Sequence, residues 1–98
     1  MTYSQRRPGR PAVEVRDAPV EVYGTQWCAN TQGVRRFLDR EGVPYVYHDM
    51  EREVGAAERV MWWTGGDASH PTIQVGGEIL VEPSLAELRS ALAREGVM

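Results

Sequence analysis

The sequence predicts an α/β domain of three layers, α/β/α, around a mixed four-stranded sheet. Three observations lead there. Short apolar runs with strand character alternate with stretches of helical periodicity, in the order β-α-β-α-β-β-α. The first two strand runs are joined through a helical stretch, so they should lie parallel with a right-handed crossover. The last two are separated only by Gly76-Gly77, so they should form an antiparallel hairpin.

Each element has its own signal. Val20 and Val22 in "PVEVYGT" suit a buried strand between Pro19 and Gly24. Val34, Phe37 and Leu38 repeat at helical spacing, and Gly42 after Glu41 suits the left-handed residue that ends a helix. "PYVYHDM", residues 44–50, is rich in aromatic and β-branched residues and reads as the second strand. Ala56, Ala57, Val60, Met61 and a tryptophan follow at helical spacing and stop at Thr64-Gly65-Gly66. "PTIQV" and "EILV" are the hairpin strands, and the glycine pair between them permits positive φ. In "PSLAELRSAL", Ser84 and Glu87 have the spacing of a capping box, and Leu85, Leu88 and Leu92 form the expected apolar face.

The bulk numbers exclude several classes. The 98 residues suffice for one small domain, with 42% hydrophobic and 26% charged residues. No apolar run reaches the ~20 residues of a membrane span, and no signal peptide is visible. One cysteine rules out an internal disulfide, so the reducing cytoplasm is the expected location. All 11 basic residues are arginine, which excludes lysine-dependent chemistry such as a Schiff base or a P-loop. Residues 1–19 carry four arginines against two acids, whereas the remainder carries seven against twelve, net −5. Nucleic acid is therefore not an expected partner of the folded part. Residues 1–18 read as a disordered arm and 19–98 as the domain. Within the arm, Pro8-Gly9-Arg10-Pro11 resembles the core of a minor-groove AT-hook, but a solvated tail is the favoured reading.

Cys28 stands after the first strand and at the start of the first helix. Free N–H groups and the positive dipole end at a helix start stabilise an anion, so its pKa should fall below the ~8.5 of a free thiol. Trp27 supplies a flat apolar wall beside it. Thr31 lies one turn on, where its hydroxyl can meet the sulfur or help cap the helix. It cannot resolve a disulfide, so the expected chemistry is monothiol exchange. Cys28 would attack a mixed disulfide between a protein and a small thiol, and a second small thiol would release it.

The element order, Trp27-Cys28, Gly42-Val43-Pro44-Tyr45, Ala56-Ala57 through Val60, Gly65-Gly66, Pro71-Thr72 and Glu82-Pro83-Ser84 resemble a glutaredoxin, of thioredoxin fold. Among glutaredoxins the chain is most similar to the small actinobacterial mycoredoxins. The resemblance implies a thiol–disulfide oxidoreductase acting on S-thiolated proteins, a monomer with glutathione or mycothiol as co-substrate and no tightly bound cofactor. It also implies a cis-proline at Pro71 that brings His70 beside Cys28, where an imidazolium would lower the thiol pKa and protonate the leaving thiolate. A partly exposed loop histidine is the plainer alternative. The implied groove for the small thiol or substrate runs from Trp27, Ala29 and Asn30, past Ser69, to Glu82, Pro83 and Ser84. Amides from Ser84 onward would receive a carboxylate there, and Glu82 would oppose one.

The departures are specific. Most members read Cys-x-x-Cys; here Cys28-Ala29-Asn30-Thr31 holds one thiol. The iron–sulfur relatives read Cys-Gly-Phe-Ser and carry a lysine shortly before the cysteine, where this chain has Thr25-Gln26. A [2Fe–2S] cluster shared by two copies is thereby disfavoured. His48, His70 and Cys28 lack metal-ligand spacing, so no metal site is expected. Adjacent Trp62 and Trp63 cannot both face the core, and the outer one offers a partner patch. Glu51, Arg52, Glu53, Glu58 and Arg59 read as a solvated helical face. A redox-inactive binding module is the main alternative function.

Overall fold

A computed structural model describes residues 19–98, so the expected arm and its AT-hook-like stretch lie outside the described residues. Seven elements follow in the expected order: β1 (Val20–Gly24), α1 (Ala29–Arg40), β2 (Tyr45–Asp49), α2 (Ala56–Thr64), β3 (Thr72–Val75), β4 (Glu78–Val81) and α3 (Leu85–Arg94). The sheet order is β2-β1-β3-β4. β1 runs parallel to β2, with Val20 opposite Tyr45, and antiparallel to β3, with Val20 opposite Val75. β4 closes the hairpin antiparallel to β3.

Strand alternation divides the interior in two. Val20 and Val22 face one side of β1 and pack with Val34, Phe37 and Leu38 of α1 and with Leu88, Ala91 and Leu92 of α3. Tyr23 faces the other side and packs with Ala56 and Val60 of α2, Met50 and Trp63. Those two sets of contacts make the three layers. Each fully buried Val, Leu or Ile contributes about 1.5–3 kcal/mol relative to exposure, so the α1/α3 side holds most of the apolar stabilisation.

Helix ends are set by local chemistry. After α1, Gly42 takes φ +70. Its N–H donates to Asp39 O at 3.2 Å and that of Val43 to Leu38 O at 2.9 Å, a Schellman ending with Val43 buried. At α3 the capping box is complete. Three readings need correction. Leu85 is 43% exposed, and the buried residues of α3 are Leu88, Ala91 and Leu92. Met61 is also exposed on α2. Of the hairpin glycines only Gly76 takes positive φ, +55. Trp63 packs inward, edge-on to Tyr23 at 5.2 Å, and Trp62 is the outer one, 83% exposed. No helix of the described residues is long and apolar enough to cross a membrane.

Candidate active site

Cys28 is the N-cap of α1, with φ −84 and ψ 118. Its side chain thus sits where a capping oxygen normally meets the first free amides of a helix. The approach from β1 is fixed. The Cys28 N–H reaches Thr25 O at 3.4 Å, and Gln32 Nε2 donates to Thr25 O at 3.2 Å and Gln26 O at 3.1 Å. Gln32 carries no motif, and sequence reasoning did not single it out. Cys28 remains partly accessible.

Partial burial pushes the thiol up. The Thr31 N–H and hydroxyl, the His70 side chain and the Asn30 N–H outweigh it and bring the pKa down to about 7. Thr31 is fully buried and Gly24 packs against it, the missing side chain of Gly24 leaving the room Thr31 occupies. Thr31 Oγ1 and His70 Nδ1 are both buried and have no directed hydrogen-bond partner among the described residues, so each can turn to the sulfur once it is charged. Thr31 therefore does not cap the helix.

The His70–Pro71 peptide is cis, Pro71 is buried, and His70 lies beside Cys28. Ser69 braces the same loop: its carbonyl accepts from Thr72 Oγ1 at 2.9 Å. The Trp27 ring meets His70 edge-on at 5.3 Å, and its Nε1–H donates to Glu51 Oε2 at 2.8 Å. Cys28, Thr31, His70, Pro71 and Trp27 are thus brought together.

The other expected groove residues form an adjoining cleft of about 490 Å³ between the starts of α1 and α3. Ala29, Asn30, Glu82, Pro83, Ser84 and Glu87 contribute to its walls. Glu82 takes φ +50 and its N–H donates to Pro71 O at 2.8 Å, tying the cleft to the proline. The expected anion site is altered. Pro83 has no N–H, the Ser84 N–H is taken by Glu87 Oε1 at 2.8 Å, and the Glu87 N–H by Ser84 Oγ at 3.0 Å. Among the described residues, two carboxylates and no arginine line the cleft. A second cleft of about 510 Å³, between β4 and α3, is lined by neither Cys28 nor any residue of α1.

Behind the site, His48 is buried and engaged on both nitrogens. Nε2 lies 2.8 Å from Glu21 Oε1, and Nδ1 lies 2.7 and 2.8 Å from the Glu53 oxygens. The ring stacks on Tyr23 at 4.3 Å, and Arg59 donates to the Tyr23 hydroxyl at 2.6 Å. This corrects the solvated-face reading, because Glu51 and Glu53 lie in the turn before α2 and, with Arg59, hold specific partners. Among the described residues no group of three His, Cys, Asp or Glu is arranged to hold a metal.

Burial pushes the His48 pKa down, but the hydrogen bonds and charges of Glu21 and Glu53 prevail and raise it. A raised histidine contributes stability that is fully present below the unfolded value of ~6.5 and is lost as pH rises through the folded value. Cys28 acts with the opposite sign, because a lowered thiol pKa adds stability as pH rises. In a Cys28→Ser background, the unfolding free energy from urea titrations should therefore fall above pH ~6.5, by up to about 1.4 kcal/mol per pH unit, and the added His48→Gln change should flatten the profile. Equal slopes in the two proteins would remove His48 from the account.

The comparisons agree with this geometry. The glutaredoxin family model matches residues 20–80. A glutaredoxin of Mycobacterium tuberculosis is 30% identical over 78 residues, covering 79% of this chain and 93% of the relative. A glutaredoxin structure from Archaeoglobus fulgidus aligns with a TM-score of 0.69 at 23% identity, over 86% of this chain and 97% of that one. A buckwheat glutaredoxin in complex with glutathione gives 0.64 at 19% identity, over 86% and 84%. A thioredoxin-like protein gives 0.70 at 25% identity, over 76% and 95%. The family match spans the whole sheet but its last residue, together with the helix that presents Cys28, and so this chain of thioredoxin-like fold belongs to the glutaredoxin family.

Proposed function

We propose that the protein is a monothiol oxidoreductase that removes a small thiol from S-thiolated proteins through Cys28, acting as a monomer in the cytoplasm. Membership of a family of thiol–disulfide oxidoreductases supports the reaction class. The observation that carries the reading is a partly accessible N-cap thiol with its pKa brought down to about 7. The Cys28 thiolate attacks the small-thiol sulfur of the mixed disulfide. A Cys28–small-thiol disulfide forms, and the protein leaves as thiolate, taking its proton from solvent or from His70. A second small thiolate attacks the bound small-thiol sulfur, forming the symmetrical disulfide and returning the Cys28 thiolate. The net result is that the incoming small thiol replaces the protein as partner of the first: the protein sulfur is reduced to a thiol and the incoming sulfur is oxidised into the symmetrical disulfide.

The acidic cleft bears on which small thiol serves. A ligand carboxylate there would meet Glu82 and Glu87 without a basic partner among the described residues. A neutral, hydroxyl-rich head such as the sugars of mycothiol suits it better than glutathione. Repulsion of about 1.4 kcal/mol would give tenfold discrimination. Rates of deprotection of one protein carrying either thiol should differ by roughly that factor in favour of mycothiol. Equal rates, or a preference for glutathione, would reject the assignment. A brown, dimeric purified protein would instead identify a [2Fe–2S] carrier, and a slow thiol of ordinary pKa a binding module.

A further inference from the structure

We infer that Glu51 is a positioning residue, which holds the Trp27 indole as a fixed wall beside Cys28. The inference rests on the exchange reading above. Trp27 is 67% exposed, and an exposed side chain on a loop ordinarily samples several rotamers. Here two contacts restrict it: the 2.8 Å hydrogen bond from Nε1–H to Glu51 Oε2 and the edge-on ring of His70 at 5.3 Å. A hydrogen bond to a carboxylate is stronger than one between neutral groups.

Glu51 is itself presented from a braced turn. The Met50 N–H donates to Gly24 O at 2.8 Å, the Glu51 N–H to Asp49 Oδ1 at 2.9 Å and the Glu53 N–H to Asp49 O at 2.8 Å. The Glu53 carboxylate is anchored on buried His48. The turn after β2 is therefore tied to the end of β1 by Met50 and to the turn that precedes Cys28 by Glu51. A wall ordered in advance removes an entropic cost from each encounter, so its effect belongs to binding and not to the sulfur.

The test measures exchange on a protein mixed disulfide with wild-type, Glu51→Ala and Glu51→Gln proteins, alone and with Trp27→Phe. Glu51→Ala should raise KM roughly fivefold, with kcat and the Cys28 pKa unchanged. Glu51→Gln keeps an acceptor oxygen and should restore most of the loss. Phenylalanine lacks the indole N–H, so Glu51→Ala should add nothing to Trp27→Phe. The 15N–1H signal of the Trp27 indole reads the contact independently of activity, and it should shift in Glu51→Ala and return towards wild type in Glu51→Gln. An unmoved KM and indole signal in Glu51→Ala would overturn the inference while wild-type exchange stands. So would a changed thiol pKa with no rescue by glutamine, which would make Glu51 a charge acting on sulfur. Failure of the wild-type protein to exchange would reject the proposed function first, and this role with it.

Discussion

Cys28→Ser is expected to abolish mixed-disulfide exchange, because a hydroxyl is neither a nucleophile towards disulfide sulfur nor able to hold the small thiol in a disulfide. Mass spectrometry should show a one-thiol adduct on the wild-type protein and none on the variant. The same sulfur is expected to titrate with an inflection near pH 7 in its alkylation rate, since the amides of Thr31 and Asn30, the Thr31 hydroxyl and His70 favour its charge. About half the molecules then carry thiolate at pH 7, against a few per cent for a free thiol. The gain in rate is smaller than that ratio. Nucleophilicity falls with pKa, at a Brønsted slope of about 0.4–0.5, so the net advantage over a free thiol is roughly threefold. The inflection is therefore the diagnostic quantity. Thr31→Val keeps the shape, removes the hydroxyl, and should raise the inflection by about one unit. His70→Val should raise it too, and an unchanged thiol pKa in that variant would remove His70 from the site.

Gly24→Ala is the second large effect. A Cβ there would overlap the Oγ1 and Cγ2 atoms of Thr31. Thr31 is fully buried and cannot swing into solvent. The backbone of Gly24 cannot withdraw easily either, since Gly24 pairs with Asp49 and its carbonyl accepts from the Met50 N–H at 2.8 Å. Overpacking of this kind costs about 1–3 kcal/mol, and the rigid surroundings place it towards the upper end. For a domain of this size that lowers Tm by roughly 10–20 °C. The displaced Thr31 hydroxyl should also leave the sulfur, raising the thiol pKa. Thr31→Ala removes both overlapping atoms, so Gly24→Ala should cost much less in that background, with a coupling of about 1 kcal/mol or more. Strict additivity would show that the crowding is relieved elsewhere.

What the sequence reveals depends on the range of the interaction. Strand alternation at Val20–Tyr23, helical spacing at Val34–Leu38 and the Ser84–Glu87 capping box are local patterns, and all three elements form as read. Cys28 at a strand–helix junction is local as well. The grouping of His70 and Pro71 with Cys28 came from the family resemblance, which supplies long-range placement that periodicity lacks. The network around His48 had neither source. Glu21 and His48 are 27 positions apart, and Trp27 and Glu51 are 24 apart. Nothing in a run of charges at 51–59 distinguishes a carboxylate that reaches back to a distant ring from one that faces water. The fate of Leu85 has a related cause. As the first residue of α3 it lies on the apolar stripe but lines the cleft between the starts of α1 and α3, while Leu88, Ala91 and Leu92 further along the helix are the buried ones.

β1 lies inside the sheet, hydrogen-bonded to β2 on one side and β3 on the other, and it leads directly into the turn that carries Cys28. Fraying begins at the rims of a sheet, here β2 and β4, and reaches an inner strand last. Amide protons of Val22 and Tyr23 should therefore exchange with deuterium only through global opening. The strand that leads to Cys28 should then be the slowest-opening part of the molecule, holding the thiol's anchor in place until the protein unfolds as a whole.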